Sequence, residues 1–130
     1  AIRAAVTPPQ GNRITPMTRE GMNSLEFHVL LSLATGPLYG YAIKDAVQTD
    51  SGGALVPRAG SLYRVIARLI STGLVLEAEP LDAPPPHPGH TRRYYALTAA
   101  GSRALAVEAR RLKHTAAVAE KRLSVARGQS

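Results

Sequence analysis

At 130 residues the chain has room for one domain with one core, plus a tail or an extra helix. An apolar fraction of 45% argues against wholesale disorder, and no apolar run approaches the ~18 to 20 residues that span a bilayer. The net charge of +7 divides unevenly: residues 1–22 carry three basic and one acidic side chain, residues 23–100 six of each, and residues 101–130 seven and two, or +2, 0 and +5. Global charge is therefore weak grounds for a nucleic-acid partner; the acid-free stretch from Pro57 to Leu76, holding Arg58, Arg64 and Arg68, is more informative. The absence of cysteine rules out disulfides and thiolate metal sites and fits a reducing cytoplasm.

In chain order, residues 1–22 read as a flexible arm, rich in loop formers such as Pro8, Pro9, Gly11 and Pro16 and without the apolar core of a signal peptide. From Asn23 or Ser24 the pattern changes. Leu25, Phe27, Val29, Leu30, Leu31 and Leu33 form a short buried helix behind a capping residue, stopped by Gly36-Pro37; a buried strand is the alternative. A second helix fits Leu38 to about Thr49, with Tyr39, Ile43, Ala46 and Val47 on one face. Gly40 inside it costs ~1 kcal/mol against Ala unless close packing uses the missing side chain.

The third helix, about Ala59 to Ser71, is the most legible segment. Leu62, Ile66, Leu69 and Ile70 share one arc, while Ser61, Arg64, Arg68 and Ser71 gather on the opposite one, with Tyr63 at the boundary. Gly73 suits the left-handed position that ends a helix. Strands then fit Leu74 to Glu79 and Arg92 to Leu97, joined by a loop with Pro84, Pro85, Pro86 and Pro88; this two-stranded hairpin must lean on the helices. Thr98 caps a last helix running to about Ala126. Along it Leu105, Ala109, Leu112, Ala116, Ala119 and Leu123 step by 4, 3, 4, 3 and 4, a heptad seam. Such a stripe needs a cover, and a second copy of the chain is the economical one.

Three helices, a hairpin and a seam-bearing helix make a mainly α fold with a small β-hairpin. That is the order of a winged helix-turn-helix, here over 23–98, with a dimerisation helix over 99–126 and a tail over 127–130. The segments "GPLYGYAIKDAV", "AGSLYRVIARLISTGLV" and "RRYYALTAAG" closely resemble the PadR-like transcriptional regulators over about residues 24–105. The resemblance implies that the third helix is the DNA recognition helix and the hairpin the wing. It also implies that a ligand sensed near the dimer interface changes operator affinity.

Ser61, Arg64 and Arg68, with Arg58 at the helix start, form a face suited to the major groove; the bland alternative is a solvated polar face. Tyr39 and Tyr63 lie in the family's signatures, either as phosphate contacts through the phenol or as boundary core residues with a wet tip. Arg92 and Arg93 flank the wing tip, and at least one is expected to reach the adjacent minor groove. His87 and His90, with Asp82, would make at best a poor metal clip, so no metal and no cofactor is expected, although a metal-responsive regulator stays a rival reading.

A nucleophile elbow, a phosphate loop and an HExxH motif are all missing, so the chain reads as no enzyme. The expected partners are double-stranded DNA, a second copy in a homodimer and a small-molecule effector at the interface, with no membrane. The function read is a repressor on a pseudo-palindromic operator. A winged-helix protein-interaction module without DNA binding is the other alternative, favoured by the neutral 23–100 stretch.

Overall fold

The computed structural model describes residues 22–79 and 93–128. Most of the N-terminal arm and most of the Pro-rich loop, including Asp82, His87, His90 and Arg92, lie outside the described residues.

The first helix, α1 (Ser24–Ser32), is set by a reciprocal cap. Asn23 Oδ1 accepts from the Glu26 N–H at 2.8 Å, and Glu26 Oε1 accepts from the Asn23 N–H at 2.9 Å. Two otherwise orphaned donors are satisfied this way, so the apolar run winds as a helix and the strand alternative falls. Val29 and Leu30 are wholly buried on it.

Leu38 and Tyr39 do not open the second helix, as their spacing suggested; they form a short strand, β1 (Leu38–Tyr39). The helix α2 (Gly40–Asp50) begins only after them. The reason lies further along the chain, in a hairpin of β2 (Val75–Ala78) and β3 (Tyr94–Leu97). β3 has a free edge, and Leu38 pairs with Tyr95 and Tyr39 with Tyr94 across it. The sheet is therefore three-stranded, in the order β1-β3-β2, and not the two-stranded hairpin expected. The third strand and the helices beneath supply the support an isolated hairpin lacks.

Ile43 and Val47 on α2 and Leu62, Ile66 and Leu69 on α3 (Ala59–Ser71) complete the core with Val75 and Tyr95 from the sheet. One detail departs from the sequence reading. Ile70 is 37% exposed, and Val65, at 7%, takes the place assigned to it. Within β2 it is Val75 that faces the core while Leu76 is 43% exposed. Burial also pushes the Tyr95 phenol above its ordinary value, with Tyr63 and Glu77 adding to the rise.

The last helix, α4 (Ala99–Gly128), has 30 residues and so runs for roughly 45 Å. Thr98 caps it: its Oγ1 accepts from the Gly101 N–H at 2.9 Å. Only the first turns rest on the domain, through Ala100, Ala104 and Leu105. At the end of this contact Glu108 is buried, 4% exposed, and Arg111 Nε donates to its Oε1 at 3.0 Å. That guanidinium holds the Glu108 carboxyl below the usual carboxylate range, assisted by a hydrogen bond from the Met22 backbone and opposed by burial. Beyond Glu108 every described residue of α4 is exposed except the half-buried Val118.

Gly101 is buried where α4 crosses the end of β2's approach, and a Cβ there would overlap the Leu74 carbonyl, lying 2.9 Å from its carbon. Gly→Ala in a helix normally gains ~1 kcal/mol, but a backbone carbonyl cannot swing aside as a side chain can. Gly101→Ala is therefore expected to destabilise the fold by about 1–3 kcal/mol, read as a lower urea midpoint at unchanged slope. Gly40 differs: an added Cβ there would meet the phenol end of Tyr63, which is 48% exposed and able to move. Gly40 is the first residue of α2 and not inside a helix as its spacing suggested, and its missing side chain is used for close packing against Tyr63.

Candidate nucleic-acid interface

The α2, loop and α3 sequence is a helix-turn-helix, with Ser51-Gly52-Gly53 opening the connection and Gly52 and Gly53 at φ of 65° and 85°. Leu62, Ile66 and Leu69 seat α3 on the core. At 100° per residue this turns Ser61, Arg64, Arg68 and Ser71 outward within an arc of about 80°. Arg64 and Arg68 are exposed and Ser61 is half-buried. Arg64 Nη2 donates to Ser61 Oγ at a long 3.4 Å, which leaves the guanidinium free for other acceptors. Arg58 is the N-cap residue of α3, exposed and without a side-chain capping bond. Among the described residues neither Arg58 nor Arg64 lies in an ion pair with an acid.

Arg68 is differently placed. Its Nε is 3.6 Å from Glu26 Oε2, with the arginine side chain 54% exposed and the glutamate 5%. It stands on the flank of the polar arc beside Val65, which brings it over α1. The lack of acids within α3 did not reveal this partner. The Asn23-x-x-Glu26 spacing could have, because it fixes where the Glu26 carboxylate points.

Tyr39 is the N-cap residue of α2 and gives its helix no side-chain cap bond; its ring meets that of Tyr94 edge-on, centroids 5.7 Å apart. Tyr63 is on the opposite flank of α3 from Arg68, its hydroxyl against Gly40 at the start of α2. Both tyrosines thus lie at the N-terminus of α2. Arg93, at the loop end of the hairpin, is exposed and 3.8 Å from Glu77 Oε1, a loose pair between two solvated side chains. Arg92 lies outside the described residues.

The expected seam is resolved along α4. Leu105 packs against the chain's own core. Ala109, Leu112, Ala116, Ala119 and Leu123 are exposed, Leu112 by 40% and Leu123 by 57%. Among the described residues no group of three His, Asp or Glu side chains is placed to hold a metal, and the His87–His90 clip falls outside them. No described helix is long and apolar enough to cross a membrane.

Residues 29–107 match the model of the transcriptional regulator PadR-like family. A PadR family transcription regulator from hypervirulent Clostridium difficile superposes with a TM-score of 0.62 at 22% identity, covering 78% of this chain and 99% of that one. Bacillus subtilis PadR in complex with operator DNA superposes with a TM-score of 0.51 at 21% identity, covering 64% and 45%. An uncharacterised 37.1 kDa protein in a Streptomyces fradiae transposon is 42% identical over 87 residues, 67% of this chain; the chain spans 22% of that relative's length.

Proposed function

We propose, from the premise that this chain belongs to the PadR-like family of transcriptional regulators, that it is a DNA-binding homodimer whose two α3 helices enter the major groove of a pseudo-palindromic operator, where it acts as a repressor in the cytoplasm. The observation that carries this reading is the outer face of α3. Ser61 and Arg64 are presented there with Arg58 at the helix start, and no described acid neutralises either arginine. A helix fits the groove, and a guanidinium can take guanine O6 and N7 together. Arg64, nearer the helix start, is assigned to a base edge and Arg58 to the backbone. Arg68, half exposed beside Glu26, is assigned to a phosphate.

Around that face the remaining contacts are electrostatic. The α2 N-terminus carries no side-chain cap, so its N–H groups and the Tyr39 hydroxyl suit a phosphate, with Tyr63 alongside. Arg93, with Arg92, reaches the neighbouring minor groove or its backbone from the hairpin. Bacillus subtilis PadR, which shares this fold, is in complex with operator DNA, and that supports DNA as the partner. The seam from Ala109 to Leu123, exposed in one chain, is covered by the second copy. Its three alanines leave room for a small apolar effector, which alters operator affinity by preferring one dimer geometry.

Selection from randomised duplexes tests the reading. It should enrich two inverted half-sites with centres about one helical turn, ~34 Å, apart. Failure to enrich any duplex at low salt would overturn it in favour of a module that binds proteins alone.

A further inference from the structure

The end of α3 and the start of α4 are joined by a short, continuous run of hydrogen bonds that bypasses the hairpin between them. The Gly73 N–H donates to the Ile70 carbonyl at 3.0 Å and the Leu74 N–H to the Leu69 carbonyl at 2.9 Å, with Gly73 at φ 81°. These close the last turn of α3 in a left-handed C-terminal motif. From the other side Thr98 takes both freed carbonyls. Its N–H donates to Leu74 at 3.1 Å and its hydroxyl to Gly73 at 2.6 Å. The same hydroxyl oxygen accepts from the Gly101 N–H, the first turn of α4. Gly101 then presses backbone to backbone on Leu74, with no room for a Cβ.

We infer that Thr98 is a positioning residue that sets the half-site spacing the protein accepts. One hydroxyl bridges the C-terminal turn of α3 and the N-terminal turn of α4, and the glycine contact beside it removes slack. In a dimer held through α4, the separation and tilt of the two α3 helices are fixed by this joint once per protomer. Loosening it leaves every DNA-contacting side chain in place and changes only how firmly the two are held apart. The inference rests on the dimeric operator reading above, and touches no residue assigned to base or phosphate.

The test uses the full chain, with Thr98→Val, which keeps the branched shape and loses the hydroxyl, and Thr98→Ser, which keeps the hydroxyl. The duplexes are the selected operator and versions with the half-sites moved one base pair closer or further. Wild type should prefer one spacing. Thr98→Val should lose on the order of tenfold of that preference, and Thr98→Ser should recover it. Preference for the half-site sequence itself should not change. A loss of affinity equal at all three spacings, or a preference unchanged in Thr98→Val, overturns the inference.

A second readout needs no DNA. The chain has no cysteine, so Ala67→Cys on the exposed side of α3 accepts a single spin label per protomer. The label-to-label distance should be narrowly distributed in the wild-type dimer and broader with Thr98→Val. A broad distribution in the wild type overturns the joint whether or not the variant folds. A narrow one that Thr98→Val broadens, in a protein that selects no duplex, instead keeps the joint and removes the operator reading.

Discussion

Leu112→Lys is expected to turn the protein into a monomer at micromolar concentration and to lower its affinity for a paired-half-site duplex by about 10²- to 10⁴-fold. Leu112 is 40% exposed in one chain and lies at the middle of the seam, so the change removes little from the chain's own core. In a symmetric pair it brings two ammonium groups into an apolar contact, where like charges cost most. The winged domain should keep its helical signal. The loss of affinity arises because one tethered half-site contact replaces two, with no DNA-facing side chain altered. Sedimentation at micromolar concentration and a binding isotherm on the same sample read both effects. A variant that remains dimeric would remove the seam as the interface.

Arg64→Ala is expected to cost about 1–3 kcal/mol per half-site on the selected operator and almost nothing on unrelated duplexes. The side chain is exposed, bonded only at 3.4 Å to Ser61 and without an acid among the described residues, so it is not held by the fold. Arg58→Ala and Arg93→Ala, by contrast, should weaken all sequences alike and lower the salt slope by about one per lost phosphate contact. Arg68→Ala differs again. It leaves the 5%-exposed Glu26 carboxylate without its cation, so it should also reduce thermal stability. Selection repeated with Arg64→Ala checks the assignment. An unchanged consensus with a uniform loss would make Arg64 a phosphate contact.

Where one segment dictates its own structure, the sequence was sufficient. The two-faced period of α3, the Gly73 stop, the Thr98 cap and the long α4 are local signals, and each is found in place. What was hidden depends on partners distant in sequence. Leu38 and Tyr39 follow helical spacing, yet the free edge of β3, more than fifty residues on, draws them into a strand. Ile70 reads as core from its arc, but the arc is centred nearer Val65 once α1 is docked. Arg68 looks like its neighbour Arg64 until Glu26 arrives from another helix. Gly101 showed no sign of its role, because only the Leu74 carbonyl across the joint makes a side chain impossible there.

The proposal of a dimer reading two half-sites is decided by comparing one duplex that carries both selected half-sites with one that carries a single half-site, across a salt series. Paired sites should bind at least 10²-fold more tightly, with two subunits per duplex, and log affinity should fall steeply and linearly with log salt. Equal affinity for the two duplexes, with one subunit on each, would contradict it.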